Sequence, residues 1–86
     1  MALKEFYGET CPHCIAMKPL VEKLVAELGV EVEQHEVWSN SENAKQAQEL
    51  DGGVCGGVPF FINTETGKTI CGATDYESLK AWAQGA

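Results

Sequence analysis

The chain contains no arginine, and its six lysines are outnumbered by thirteen acidic residues, for a formal charge of −7. Phosphate backbones and anionic membrane surfaces are held by clustered positive charge, so neither is an expected partner. No apolar run approaches the roughly 20 residues of a membrane span. The opening Met1-Ala2-Leu3-Lys4-Glu5-Phe6 lacks the charged-then-apolar pattern of an export signal, and a cytoplasmic location is expected. There are no repeats, low-complexity tracts or linkers, so residues 1–86 are expected to form one domain, working as a monomer. At this length the core must be efficient. A second CxxC is also missing, and with it the usual second knuckle of a structural zinc site.

What the chain does have is Cys11-Pro12-His13-Cys14. The pair follows a short apolar strand, Leu3 to Tyr7, and precedes a long amphipathic pattern, Ile15 to Leu28. Cys11 therefore falls at a helix N-terminus, where free N–H groups and the positive end of the helix dipole stabilise a thiolate. The thiolate is the reactive form of cysteine. Pro12 suits the first helical position, where its missing N–H costs nothing. His13 can add a positive charge or a hydrogen bond beside Cys11. Cys14, one turn on, is within reach of a disulfide with Cys11 and is expected to be the more shielded of the two. A CxxC beside a β-α-β pattern reads as a redox motif.

Further along, Ile15, Met17, Leu20, Val21, Leu24, Val25 and Leu28 repeat at helical spacing, with Pro19 inside the helix and Gly29 at its end. Val30 to Trp38 reads as an edge strand carrying several glutamates. Ser39 and Glu42 have capping-box spacing and predict a helix to about Leu50. The glycine-rich run Gly52 to Gly57 is a loop, and Val58 to Ile62 is an apolar strand. A turn over Asn63 to Gly67 leads to a strand over Lys68 to Cys71, forming a hairpin. Thr74 and Glu77 again have capping-box spacing, before a helix marked by Leu79, Trp82 and Ala83. The string is β-α-β-α-β-β-α. Its first β-α-β is a right-handed parallel unit and its hairpin antiparallel, which predicts an α/β fold: a four-stranded mixed sheet with helices on both faces.

That string, with CxxC opening the first helix and a proline opening the third strand, resembles the thioredoxin fold at its minimal, glutaredoxin-like size, over essentially the whole chain. The Pro-His dipeptide, with Glu5 six residues before Cys11, is similar to DsbA-type oxidants, although the chain has no room for their helical insertion. Glutaredoxins carry a basic residue shortly before the CxxC; Gly8, Glu9 and Thr10 offer none, and Thr74-Asp75 matches their second glutathione-binding pair only in part. The resemblance implies that Pro19 kinks its helix and that Pro59 is a cis-proline beside the dithiol. It also implies that Val58 binds substrate backbone, that Gly72 lets that backbone approach, and that Glu5 is a buried acid under the site. A buried carboxyl has a raised pKa and can take the proton that Cys14 must lose.

The expected function is thiol–disulfide exchange with protein disulfides or dithiols through Cys11 and Cys14, by way of a mixed disulfide, with a reductase to recycle the pair. The enzyme needs no cofactor or metal beyond that redox-active disulfide. Two alternatives stand beside it: a glutaredoxin-like, glutathione-dependent reductase, and a metal or iron–sulfur module using Cys11, Cys14 and Cys55. Cys55 and Cys71 read either as small, partly buried apolar residues or as a second redox pair. A reducing compartment favours free or catalytic thiols over structural bridges. His35 is a bystander, and Met17, Trp38 and Trp82 are packing residues.

Overall fold

The computed structural model describes residues 3–85; Met1, Ala2 and Ala86, the ends of the expected 1–86 domain, lie outside them. The order is β1 (Leu3–Tyr7), α1 (Pro12–Leu28), β2 (Val32–Glu36), α2 (Ser41–Asp51), β3 (Phe60–Asn63), β4 (Thr69–Cys71) and α3 (Tyr76–Ala83). The sheet runs β2-β1-β3-β4. β1 pairs in parallel with β2 and antiparallel with β3, and β3 and β4 form the antiparallel hairpin. The mixed α/β sheet predicted by the string is therefore present. Among the described residues no helix is long and apolar enough to cross a membrane.

Alternation along the strands divides the core into two layers. Leu3 and Phe61 face α1 and α3, packing with Met17, Val21, Leu24, Leu79 and Trp82. Phe6, Phe60 and Ile62 face the other way, toward Ala47 and Leu50 of α2. The central strand β3 is buried along its whole length, as a strand covered on both faces must be. Glu5 shares the face of Leu3, so the same alternation sends a carboxylate into the layer beneath α1.

Several boundaries differ from those read off the sequence. β2 is Val32–Glu36, shorter than Val30 to Trp38, because β1 offers only Leu3 to Tyr7 as partners. Neither predicted capping serine or threonine caps its helix. Asn40 caps α2 by accepting from the Asn43 N–H, and Asp75 caps α3 by accepting from the Ser78 N–H. The Ser39 hydroxyl instead donates to Glu36 Oε1 at 2.8 Å. α1 runs without a break through Pro19 and ends at Gly29, whose N–H donates to the Val25 carbonyl.

Candidate active site

Cys11 occupies the N-cap of α1, with Pro12 at the first helical position. Its sulfur does what a capping oxygen usually does: the Cys14 N–H donates to Cys11 Sγ at 3.3 Å. On the other side the Cys11 thiol donates to the Val58 carbonyl at 3.9 Å. Both Cys11 and Cys14 are free thiols. The expected difference in shielding is absent, since the two are 4 % and 5 % exposed. The folded chain closes over both, because Val58 lies against Cys11 while α1 covers Cys14. What separates the two sulfurs is their surroundings. Burial, the hydrogen bond with Cys11 and its charge push the Cys14 thiol up to about 12. The Cys11 sulfur, by contrast, sits at the helix N-terminus and accepts its N–H.

Glu5 is 2 % exposed and accepts from Gln34 Nε2 at 2.9 Å. Burial raises its pKa, and the Gln34 bond offsets part of that rise. Glu5, Gln34 and Cys14 line one cavity of about 230 Å³, with Glu9 and Lys18 also in its wall. The carboxyl and the Cys14 thiol therefore share a chamber, and the charge of Glu5 contributes to the raised Cys14 pKa.

The Val58–Pro59 peptide bond is cis. The Pro59 carbonyl accepts from the Gly72 N–H at 2.8 Å, which brings Val58, Pro59 and Gly72 to one edge. Gly72 has φ +87°, a backbone angle that side chains disfavour, and the space where its Cβ would stand is open. Pro12 and His13 are exposed at the rim. The Cys11 sulfur bonds to the Cys14 N–H and the Val58 carbonyl rather than to His13, so any influence of that ring is exerted through space.

Cys55 and Cys71 are neither free thiols nor simple apolar packing: a disulfide joins them, with Cα atoms 5.5 Å apart. The antiparallel register places Cys71 opposite Phe60, which draws β4 toward the loop carrying Cys55. Cys55, the third ligand in the metal reading, is thus bonded to Cys71. Among the described residues no group of three His, Cys, Asp or Glu side chains is arranged to hold a metal ion. Asp75, half of the partial glutathione match, has its carboxylate occupied by the Ser78 N–H at 2.8 Å. His35 stacks on Phe6 at the sheet edge.

Three residues near the site carried no signal in the sequence. Gln34 is one; its role depends on the register that sets it opposite Glu5. Glu36 is another. Its carboxylate accepts from the Glu9, Trp38 and Ser39 N–H groups and from the Ser39 hydroxyl, tying the loop that delivers Cys11 to the end of β2. Those bonds, led by the Ser39 N–H, hold its carboxyl below the usual range. Trp38 is the third. It is 57 % exposed rather than packed away, and its ring lies so close over Gly8 that a side chain there would collide with it. Tertiary geometry picks out Glu36 among the glutamates of β2, which look alike in sequence.

The arrangement supplies a capped, helix-terminal sulfur, a second thiol one turn away, and a buried carboxyl in the same chamber. No curated protein matches the chain. The thioredoxin family model matches residues 1–85. The chain therefore belongs to the thioredoxin family, and its dithiol marks it as a thiol–disulfide oxidoreductase in the general sense.

Proposed function

We propose that the protein exchanges disulfides with other proteins through Cys11 as nucleophile and Cys14 as resolving thiol. The observation that carries this reading is the Cys14 N–H donating to Cys11 Sγ, with the Val58 carbonyl on the opposite side of the same sulfur. The first step is attack by the Cys11 thiolate on one substrate sulfur. A Cys11–substrate bond forms, the substrate disulfide breaks, and its other sulfur leaves as a thiolate that takes up a proton.

The second step needs Cys14 deprotonated, and its thiol is held up at about 12. Part of that elevation comes from the charge of Cys11, which disappears once Cys11 is in the mixed disulfide. Glu5, in the shared chamber, then accepts the proton. Cys14 attacks Cys11 Sγ and expels the second substrate thiolate. Two electrons pass from the dithiol to the substrate, and a recycling reductase restores the pair. The reverse sequence oxidises a substrate dithiol; compartment and potential select the direction.

In this reading Val58 and Pro59 offer backbone to an extended substrate, and the open space at Gly72 admits it. The redox chemistry is carried by Cys11 and Cys14 themselves, without a cofactor. The partners are protein disulfides or dithiols, and the protein acts as a monomer in the cytoplasm, where the Cys55–Cys71 bridge is open to reduction. Incubation of Cys14→Ser with reducible proteins tests the scheme. The variant is expected to accumulate a mixed disulfide at Cys11 and Cys11→Ser to accumulate none. Undiminished turnover in Cys11→Ser would overturn it.

A further inference from the structure

We propose that the Cys55–Cys71 bridge is a second redox centre whose oxidation state controls how firmly Val58-Pro59 is held, and so how tightly a protein disulfide binds. The proposal rests on the oxidoreductase reading above and assigns a regulator to the same site. It begins with what else fastens the segment between α2 and β3. Gly52, Gly53, Gly56 and Gly57 have no side chains with which to anchor it, and Val54 is 89 % exposed. The Asp51 carboxylate accepts from the Cys55 and Gly56 N–H groups at 2.8–2.9 Å, but that tie is local, within one turn of the end of α2. The Cys55 side chain packs at the margin of the Phe6, Phe60 and Ile62 cluster. At the far end of the segment Pro59 is buried and runs into β3, so the bridge is the covalent tie between the glycine-rich part of the loop and β4.

The bridge encloses the substrate-binding segment. Cys55 lies three residues before Val58, and Cys71 stands opposite Phe60, next to Pro59. Gly72, adjacent to Cys71, donates its N–H to the Pro59 carbonyl. Val58 in turn accepts from the Cys11 thiol. Two short connections thus run from the bridge to the backbone around the nucleophile. With the bridge open, a loop holding four glycines regains the freedom that such residues have most of. Substrate must then order Val58 on binding, which weakens affinity. The Cys11 sulfur keeps its Cys14 N–H, because α1 supplies that bond independently of the loop.

The chemistry is accessible. Cys71 is exposed and Cys55 half-buried, whereas Cys11 and Cys14 are buried. Reduction uses a dithiol, and the Cys11/Cys14 pair of a second copy belongs to that class. One thiolate of the dithiol attacks Cys71 Sγ, the Cys55–Cys71 bond breaks, and Cys55 leaves as a thiolate and takes up a proton. The second thiol of the reductant, giving up its proton, attacks its own partner's sulfur and releases Cys71 as a thiolate, which takes up a proton. The reductant ends as a disulfide, and the loop carries two thiols.

The test uses the full chain. In Cys11→Ser/Cys14→Ser, graded ratios of reduced and oxidised dithiothreitol are followed by alkylation and mass measurement, with circular dichroism recording the fold. The expected result is a reversible gain of two thiols in a chain that stays folded. In the chain with all four cysteines, the KM for insulin disulfides is expected to rise severalfold when Cys55 and Cys71 are reduced and to return on reoxidation. Cys11 alkylation should speed up in the same reduced state, because Val58 is what lies against that sulfur. The Cys55→Ser/Cys71→Ser variant should show the raised KM at every potential. A bridge that opens only as the chain unfolds, or a KM indifferent to both its reduction and its removal, would overturn the proposal. Loss of all insulin turnover in the four-cysteine chain would refute the oxidoreductase reading instead, while the thiol count in Cys11→Ser/Cys14→Ser still decides whether the bridge is reducible.

Discussion

Two cysteine pairs lie on either side of Val58-Pro59, and they differ in almost every respect. Cys11 and Cys14 are buried, free and one helical turn apart, with a backbone N–H directed at the first sulfur. Cys55 and Cys71 are 16 residues apart, more exposed and joined to each other, one on a glycine-rich loop and one on an edge strand. The residue type is the same. What differs is the backbone that presents it. A helix N-terminus, with its free N–H groups, suits the proposed nucleophile. A loop fastened to a strand end makes a clasp.

That contrast predicts where removing sulfur should matter and how. Replacing Cys55 and Cys71 together by serine should cost about 3 kcal/mol of stability, as expected for a closed loop of this length. Thermal unfolding should fall by more than about 10 °C in a domain of this size. An unchanged midpoint would mean that the second pair holds nothing together, and the contrast between nucleophile and clasp would fail.

Glu5→Gln sharpens the other half of the contrast. If Glu5 takes the Cys14 proton as proposed, the rate of mixed-disulfide resolution should drop on the order of tenfold to a hundredfold near neutral pH. The same variant has a stability signature. Glu5 binds its proton more tightly in the folded chain than in the unfolded one. Between the usual carboxylate range and its raised folded value, the folded chain therefore carries more protons, and stability declines as pH rises through that window. Glu5→Gln should flatten the decline. A denaturation series across pH checks the sign, and a variant that loses stability at neutral pH while keeping its resolution rate would remove Glu5 from the mechanism.

The smallest expected effect is at Gly8. A Cβ there meets the Trp38 ring, so Gly8→Ala should displace the indole and disturb the loop leading to Cys11. Trp38 fluorescence should shift, and turnover should fall only a fewfold, with the Cys55–Cys71 clasp unaffected. Unchanged fluorescence would show that the ring does not lie over Gly8 in solution.

Much of this was legible in the sequence. Periodicity and turn residues marked every helix and strand, because each element buries a face whose spacing is fixed by its own geometry. The position of Cys11 at the start of α1 was legible for the same reason: strand, loop and helix follow directly around it. Side chains whose partners lie across the fold were less so. Ser39 has capping spacing, but its hydroxyl goes to Glu36, and Asn40 takes over the cap. The Cys55–Cys71 bond depends on the register that places Phe60 opposite Cys71. Trp38 has the composition of a core residue and is nonetheless more than half exposed, because it crosses the edge of the sheet onto Gly8.

The central claim is that Cys11 is the nucleophile and Cys14 the resolving thiol, and brief alkylation of the reduced protein at neutral pH tests it most directly. With Cys14 held up at about 12 and Cys11 capped by a backbone N–H, mass mapping should find the early adduct within the CxxC predominantly on Cys11. Predominant early labelling of Cys14 would contradict the assignment.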